Sequence, residues 1–326
     1  PRATQAMDDD VPPAIQFSDH VMDVDFHPSQ NFVAACTITG EVQVHSYALE
    51  ETKSVLSNKP HTDSCRCLKF SADGQTLFSA AADRTIVCHS LPQNAIVGRM
   101  TNAHNSGVNC LKLIDPATVV TGDDAGTIKV WDLRQQAVAF EMATHEDFIA
   151  DMLVHDDLRH LLVASGDGTL GVFNLRQRGK LIQRSDQQED ELLSLAVMKG
   201  GRKVVVGTQG GILAIWSWGD WGDMTDRFPG HPNSIDTMIM IDDNTVCTGS
   251  SDGIIRIVGV LPNKFIGVVG EHGEFPIERL ALSHDNALLG SCSHDNTVRF
   301  WNVAELFEDD GEEEEEGGEE DSMQVT

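Results

Sequence analysis

Short stretches of alternating apolar and polar residues recur along the whole chain, separated by Gly, Asp, Asn and Ser. The clearest set lies near the end. Residues 277–282 alternate, residues 287–292 are more continuously apolar, and residues 297–301 alternate again, with turn-forming residues between the stretches. Period-2 alternation bounded by turn formers is typical of β-strands. The pattern therefore predicts an all-β protein made of short strands.

A second, longer period lies over this alternation. An aromatic or apolar anchor closes the third strand of each repeating unit, and the anchors are spaced by 44, 42, 42, 43, 42 and 43 residues. The seven anchors are His45, His89, Trp131, Phe173, Trp216, Val258 and Trp301. A period of roughly 40–45 residues with four strands per unit is typical of WD-repeat propellers. The sequence predicts a seven-bladed β-propeller.

Other positions within the units resemble the WD-repeat superfamily, in which His, Ser or Thr, Asp and Trp form a buried hydrogen-bond chain. A histidine lies 27 to 29 residues before five of the anchors: His61, His104, His145, His231 and His272. The resemblance implies a network of His272, Ser293, Asp295 and Trp301 in blade 7, and of His104, Asp124 and Trp131 in blade 3. Blades 1 and 5 lack the histidine, and we expect them to depend more on apolar packing.

The two ends of the chain are predicted to differ from residues 14–307, which we assign to the propeller. In WD-repeat proteins an N-terminal strand usually completes the last blade, and Ile15 and Phe17 alternate correctly for this role. Without this strand, the open edge of the last blade would leave backbone donors and acceptors unpaired. Residues 1–13 and the acidic tail at 308–326 are expected to be disordered, because few apolar groups and like charges cannot offset the entropy of ordering.

The formal net charge is −28, and residues 305–321 contribute twelve acids and no base. The remaining chain is still strongly acidic, which disfavours direct contact with nucleic acid, since that affinity comes largely from Lys and Arg. Seven cysteines without a C-x-x-C pair are expected to be buried reduced thiols of an intracellular protein. No apolar run of membrane-spanning length occurs.

No catalytic residue, metal site or cofactor site is predicted. Residues 249–253 match the G-x-S-x-G pattern but fall on a turn between strands, not on a strand-to-helix elbow. Two His-Asp pairs, at 284–285 and 294–295, also occupy repeat turns. Three or four converging ligands are needed to bind zinc, and the spacing of these pairs does not provide them.

Several residues are candidates for partner contact. Arg134 ends a W-D-x-R box, and Arg176 ends a weaker copy one blade later; the box resembles the docking motif for the damaged-DNA-binding adaptor of cullin-4 ubiquitin ligases. Trp218 and Trp221 are as well suited to a contact surface as to local packing. Loops near Phe148, Phe228 and Phe275 are further candidates, because loops on a rigid scaffold often carry function.

Segments between the generic motifs narrow the resemblance. Residues 145–152, 165–174, 225–228, 247–256 and 261–264 resemble the WD-repeat-containing protein 55 family, including its fungal members. This implies a nuclear and nucleolar, non-catalytic scaffold in ribosomal RNA maturation and large-subunit assembly. Its partners would be pre-ribosomal assembly factors, with the propeller itself a monomer within a larger complex. The alternative is a substrate receptor of a cullin-4 ubiquitin ligase. One departure is the acidic tail, where family members often have a lysine-rich extension.

Overall fold

The computed structural model describes residues 11–307, which form seven four-stranded antiparallel sheets. The sheets are arranged as the blades of a propeller, as the repeat predicts. The first strand of each blade contacts the first strands of both neighbouring blades, and blade 7 contacts blade 1. The ring is therefore closed around a central channel that is lined by the first strands.

The strands follow the repeat in chain order. Blade 1 contains β2 (Val21–Phe26), β3 (Phe32–Thr37), β4 (Val42–Ala48) and β5 (Glu51–Asn58). Blade 2 contains β6 (Cys65–Phe70), β7 (Thr76–Ala81), β8 (Ile86–Ser90) and β9 (Ala95–Met100). Blade 3 contains β10 (Val108–Asp115), β11 (Thr118–Asp123), β12 (Thr127–Asp132) and β13 (Ala137–Ala143). Blade 4 contains β14 (Ile149–Val154), β15 (His160–Ser165), β16 (Leu170–Asn174) and β17 (Lys180–Arg184).

The last three blades repeat the arrangement. Blade 5 contains β18 (Leu192–Met198), β19 (Lys203–Thr208), β20 (Ile212–Ser217) and β21 (Asp226–Pro229). Blade 6 contains β22 (Ile235–Met240), β23 (Thr245–Ser250), β24 (Ile254–Gly259) and β25 (Lys264–Glu271). Blade 7 contains β26 (Ile277–Leu282), β27 (Leu288–Ser293), β28 (Thr297–Asn302) and, at its rim, β1 (Ile15–Gln16). Two 3-10 turns, Leu175–Gln177 and Ala304–Leu306, are the helical segments of residues 11–307.

The hydrophobic core lies between the blades. Each anchor is on the third strand, and it packs against the preceding blade: Trp131 shares a cluster with Ile86 of blade 2, and Trp216 with Leu162 of blade 4. The second strands are almost completely buried because blades cover both of their faces. At about 25 cal/mol per Å² of buried apolar surface, these layers stabilise the ring.

The turns between second and third strands depend on glycine. Gly253 has a φ of +80°, and a Cβ atom there would lie 2.1 Å from the carbonyl oxygen of Gly273. Any other residue would meet both backbone strain and a clash, because only glycine adopts positive φ without cost. This turn packs directly beneath the loop that begins the next blade, so its close approach sets the loop position.

The N-terminal strand closes the ring. Ile15 pairs with Val298 of β28, and the Phe17 amide donates to the Asn296 carbonyl oxygen at 2.8 Å. Both side chains are buried, and the Phe17 ring packs against His45 of blade 1 at 5.8 Å. The same short segment therefore provides the outer strand of blade 7 and apolar contacts to blade 1. This is the arrangement that the alternation of Ile15 and Phe17 predicts.

Residues 1–10 and 308–326 lie outside the described part of the chain. The prediction of a disordered acidic tail, and most of the predicted disordered N-terminus, therefore concern residues that are not described. Among residues 11–307 there is no helix with the length and apolar character needed to cross a membrane.

Candidate functional site

The predicted polar network of blade 7 forms, with one residue exchanged. His272 Nδ1 lies 2.9 Å from Asp295 Oδ2, and His272 Nε2 lies 2.7 Å from Ser291 Oγ. The Trp301 indole N–H donates to the same Ser291 oxygen at 2.8 Å. The prediction of Ser293 is wrong. Its hydroxyl instead accepts from the Asp295 amide at 3.3 Å, because it ends β27 beside the turn rather than facing the tryptophan.

Blade 3 has the same chain, again with a different acid from the one predicted. His104 contacts Asp123 at 2.9 Å and Thr121 at 2.7 Å, and Trp131 donates to Thr121 at 2.9 Å. Asp124 is not part of the network, because it lies one residue beyond β11 and its carboxylate pairs with Arg66 at 2.7 Å. Successive residues point to opposite sides, so a one-residue error in the prediction exchanges a buried acid for an exposed one.

These contacts shift the pKa values of the acids. Burial alone would raise the pKa of Asp123, but the hydrogen bonds from His104 and the Thr127 amide lower it below its usual value. Burial is likewise outweighed at Asp295, whose pKa is lowered by Thr297 and His272. Burial lowers the pKa of His272. The His-Asp pairs are thus held by the fold in a fixed, hydrogen-bonded state.

The other blades have incomplete networks. In blade 5 the position ten residues before Trp216 is Val206, and the Trp216 indole N–H is buried with no hydrogen-bond partner among residues 11–307. In blade 6 His231 bonds Thr248 at 2.9 Å, but Asp252 pairs with Arg256 at 2.6 Å instead of with the histidine. Blade 5 therefore relies on apolar packing, as the missing loop histidine predicts.

The sequence reasoning missed a set of charged residues in the central channel. Arg279 Nε lies 3.2 Å from Asp23 Oδ1, and its Nη1 lies 4.0 Å from Asp151 Oδ1. One arginine thus connects blade 7 with blades 1 and 4. Lys112 also contacts Asp151, at 2.9 Å, and Lys69 pairs with Asp25. The signal that could have found them is a charged residue at an otherwise apolar first-strand position.

The channel acids also connect neighbouring blades through backbone hydrogen bonds. Asp23 accepts from the Leu68 amide of blade 2 at 2.8 Å, and Asp151 accepts from the Leu195 amide of blade 5 at 3.2 Å. Burial raises the pKa of Asp23, and the Arg279 charge opposes the rise. For Arg279, burial is outweighed by Asp23 and Asp151, which raise its pKa above the usual value. These charges surround a cavity of about 520 Å³.

The two faces of the ring differ in charge. One face, here called the acidic face, is built from the loops between a fourth strand and the next first strand and from the turns between second and third strands. These segments contain fifteen acids and two bases, Lys59 and Arg84. The acids are Asp19, Glu41, Asp63, Asp83, Asp124, Glu146, Asp147, Asp167, Asp186, Glu189, Asp190, Glu191, Asp252, Glu274 and Asp295.

The opposite face, here called the mixed face, is built from the turns between first and second strands and between third and fourth strands. It contains nine acids and six bases, and all six bases belong to blades 3 to 5. Arg134 and Arg176 are both on this face and are exposed. The Arg134 side chain is 76% exposed, and its guanidinium contacts the Asp132 carboxylate at 3.2 Å. The side chain therefore projects from the surface in an orientation that Asp132 fixes.

Of the five predicted aromatic contact residues, three pack against other aromatic or core residues of the ring. Trp221 is buried, so it belongs to the core between blades 4 and 5; an interface role for it is wrong. Trp218 is half-buried and packs on His155 at 4.4 Å. Phe228 lies on β21, not in a loop, and packs against Phe265 at 5.1 Å.

Phe148 and Phe275 are the two predicted aromatics that lie on the acidic face. Phe148 is half-buried against Gly166, where a Cβ atom would lie 2.3 Å from its ring. Phe275 is 49% exposed at the start of blade 7. The acidic face therefore presents two exposed large apolar side chains, Phe275 and Ile38, among carboxylates.

The seven cysteines are free thiols; six are buried and Cys88 is half-buried. Burial raises the pKa of Cys110 and of Cys247 to about 12. Thiolate is the reactive form of cysteine, so these two side chains behave as small apolar groups of the core.

Comparisons with known proteins agree with this description. The WDR55 family model matches residues 12–306. WD repeat-containing protein 55 of Arabidopsis thaliana is 43% identical over 289 residues, covering 87% of this chain and 81% of the relative. The Rattus norvegicus protein of the same name is 41% identical, covering 86% and 73%. WD repeat-containing protein JIP5 of Cryptococcus neoformans is 40% identical, covering 89% and 81%. The chain belongs to the WDR55 family of WD-repeat proteins.

Proposed function

We propose that this protein is a non-catalytic scaffold of ribosomal RNA processing and large-subunit assembly in the nucleolus. We propose further that its acidic face binds a Lys- or Arg-rich segment of a pre-ribosomal protein. The family resemblance supports the pathway and the location. The charge distribution of the propeller supports the chemistry of the partner.

The observation that carries the proposal is the imbalance of fifteen acids to two bases on the acidic face. Seven of these acids are exposed: Asp63, Asp124, Glu146, Asp147, Asp186, Glu189 and Glu274. A surface of one sign increases the association rate of an oppositely charged partner and disfavours partners of like charge. Exposed Phe275 adds an apolar contact, of the kind that often anchors an interface.

A non-catalytic role is supported by how the polar groups are used. The His-Asp pairs that resemble hydrolase fragments belong to the blade networks or to turns. His272 has both ring nitrogens within hydrogen-bond distance of Asp295 and Ser291. Such a histidine orients its blade, and activating a nucleophile would require breaking one of these contacts.

The test is purification of partners from nuclear extract with charge-reversed variants. One variant carries Glu146→Lys, Glu189→Lys and Glu274→Lys, three exposed acids of the acidic face. Its matched control carries Glu50→Lys, Asp220→Lys and Glu305→Lys, which are exposed acids outside that face. We expect pre-60S factors with the wild type and the control and their loss with the first variant. Equal recovery with both variants would contradict the role of the acidic face, and absence of pre-60S factors from all samples would contradict the pathway.

A second candidate function is that of a substrate receptor for a cullin-4 ubiquitin ligase. The observation that favours it is the exposure of the Arg134 side chain, at 76%, within the W-D-x-R box. Its guanidinium is oriented by Asp132 and is accessible to a partner. In the same purification, stoichiometric recovery of the adaptor that is lost on Arg134→Ala would support this function over the first.

A further inference from the structure

Two histidines and an aspartate converge at the turn between β14 and β15, on the mixed face. His155, Asp157 and His160 each place one nitrogen or oxygen within 4.8 Å of the other two. His160 Nδ1 is 2.5 Å from Asp157 Oδ2, and His155 Nδ1 is 3.3 Å from Asp157 Oδ1. Both contacts lie within one six-residue stretch, 155–160, so the turn itself brings the three donors together.

The equivalent turns of other blades show which of these contacts the fold requires. Asp73 accepts from the Gln75 amide at 3.0 Å, and Asp285 accepts from the Ala287 amide at 3.2 Å. Asp157 does the same with the Arg159 amide at 2.8 Å, using only Oδ1. The turn therefore uses one carboxylate oxygen of Asp157, Oδ1, and leaves Oδ2 to contact His160.

The first histidine has a turn role, whereas the second does not. His155 Nδ1 accepts from the Asp157 amide at 3.2 Å, as the His27 ring does from the Ser29 amide at 3.2 Å in blade 1. Five residues after these positions blade 4 has His160, where blade 1 has Phe32. The corresponding residues of blades 2 and 7 are Thr76 and Leu288. The propeller fold therefore does not require the second imidazole at this turn, that of His160.

Tryptophan from the next blade covers the cluster on one side. The Trp218 ring lies 4.4 Å from the His155 ring and 5.4 Å from the His160 ring, between ring centroids. Trp221 supports Trp218 from behind at 5.0 Å. The side chains of His155, Asp157 and His160 remain 22%, 32% and 27% exposed. The cluster is thus packed against Trp218 on one side and remains accessible to solvent.

We propose that His155, Asp157 and His160 bind one divalent transition-metal ion of the zinc class. Two imidazole nitrogens and a carboxylate oxygen suit zinc, nickel or copper, whereas calcium and magnesium prefer oxygen ligands alone. Three protein ligands and one water complete a tetrahedral zinc site with bonds of about 2.0–2.2 Å. Because the three donors already lie close together, small side-chain rotations bring them to this distance. The ion would fix the turn of blade 4 beneath the Trp218 loop of blade 5.

The experiment uses the full-length protein without a histidine tag, freed of metal by a chelator. Zinc binding is measured by calorimetry, and quenching of tryptophan fluorescence by copper is measured in parallel. We expect one site, and we expect its affinity to fall in His160→Ala by more than the roughly tenfold that is lost when a residue hydrogen-bonded to a metal ligand is removed. Asp157→Asn keeps the amide-accepting oxygen and should also weaken binding. Trp218→Phe should retain zinc binding while losing most of the quenching.

The matched control is His284→Ala. His284 lies on the equivalent turn of blade 7, contacts Asn31 at 3.0 Å, and should leave zinc affinity unchanged. Thermal melting of the metal-free variants checks that each is folded. The proposal is overturned if the wild type binds no zinc, or if folded His160→Ala binds it as tightly as the wild type does. The second result would place the ion elsewhere, for example on the acidic residues 312–316.

Discussion

Arg279 of blade 7 and Asp23 of blade 1 form an ion pair, at 3.2 Å, across the seam where the ring closes. The same guanidinium approaches Asp151 of blade 4 on the far side of the channel at 4.0 Å. The strands of neighbouring blades are otherwise connected mainly by apolar layers. This arginine therefore connects three blades that are far apart in sequence. It is the ion-pair partner of the buried Asp23, and it lies near the buried Asp151, which Lys112 also contacts at 2.9 Å.

Replacement of Arg279 by Met should strongly destabilise the propeller. The apolar stem is kept, but the buried Asp23 loses its ion-pair partner and Asp151 is left with Lys112 alone. Removal of one partner from a fully buried pair costs about 3–5 kcal/mol, which is the upper bound for this half-buried arginine. Urea denaturation measures the free energy of unfolding. Arg134→Met, which removes an exposed arginine, should change it by no more than about 0.5 kcal/mol. Equal stability of the two variants would show that the channel charges do not hold the ring.

The Phe17→Ala variant should open the seam between blades 7 and 1. Phe17 is buried and packs on His45, so its truncation leaves a cavity that costs about 3–5 kcal/mol. Gln16→Ala, on the exposed side of the same strand, serves as the control and should cost far less. Thermal melting and soluble yield are the measurements. A Phe17→Ala protein as stable as the Gln16→Ala control would contradict closure by this segment.

The two serines of β27 differ in their contribution to the hydrogen-bond network of blade 7. Both Ser291 and Ser293 are buried, but only Ser291 bonds His272 and Trp301. Ser291→Ala should leave the buried His272 Nε2 without a partner, at about 1–3 kcal/mol, and should also remove the partner of the half-buried Trp301 indole N–H. Ser293→Ala removes only a weaker contact to the turn and should cost less. If chemical denaturation gives the reverse order, the network has been assigned to the wrong hydroxyl.

Stability should decrease as the pH falls from about 6.5 to about 4. Burial, followed by the charges of His61 and Arg99, lowers the pKa of His89 to about 4, and burial lowers that of His231 to about 4. The unfolded chain takes up these protons near its ordinary histidine pKa of about 6.5, before the folded protein does. Each histidine then contributes a loss of up to about 1.4 kcal/mol per pH unit within this window.

The His89→Phe variant isolates one of these contributions. Phenylalanine occupies the same anchor position in blade 4, as Phe173, so the replacement suits the fold. Its free energy of unfolding, measured by urea titration at several pH values, should depend less steeply on pH between about 6.5 and 4 than that of the wild type. An unchanged slope would mean that His89 does not remain neutral in the folded protein.

The repeat period of about 43 residues is a one-dimensional property. The use of Ile15 and Phe17 to close the ring was implied by the resemblance to WD-repeat proteins. The period determined the number of blades and the place of each anchor on a third strand. These features follow from alternation and turn residues, because a strand with one apolar face can be buried in only a few ways. The absence of the loop histidine from blade 5 was likewise evident from the sequence pattern.

Only the tertiary structure decided which neighbouring residue performs each role. Asp123 rather than Asp124 faces His104, because one position along the chain reverses the side to which a side chain points. Ser291 and Ser293 share one side of β27, but only Ser291 lies within hydrogen-bond distance of His272 and Trp301. The burial of Trp221 depends on the blade beside it, and the pairing of Arg279 with Asp23 depends on ring closure. The sequence by itself determined the units and their order; the folded ring decided the contacts between residues that the chain places 256 positions apart.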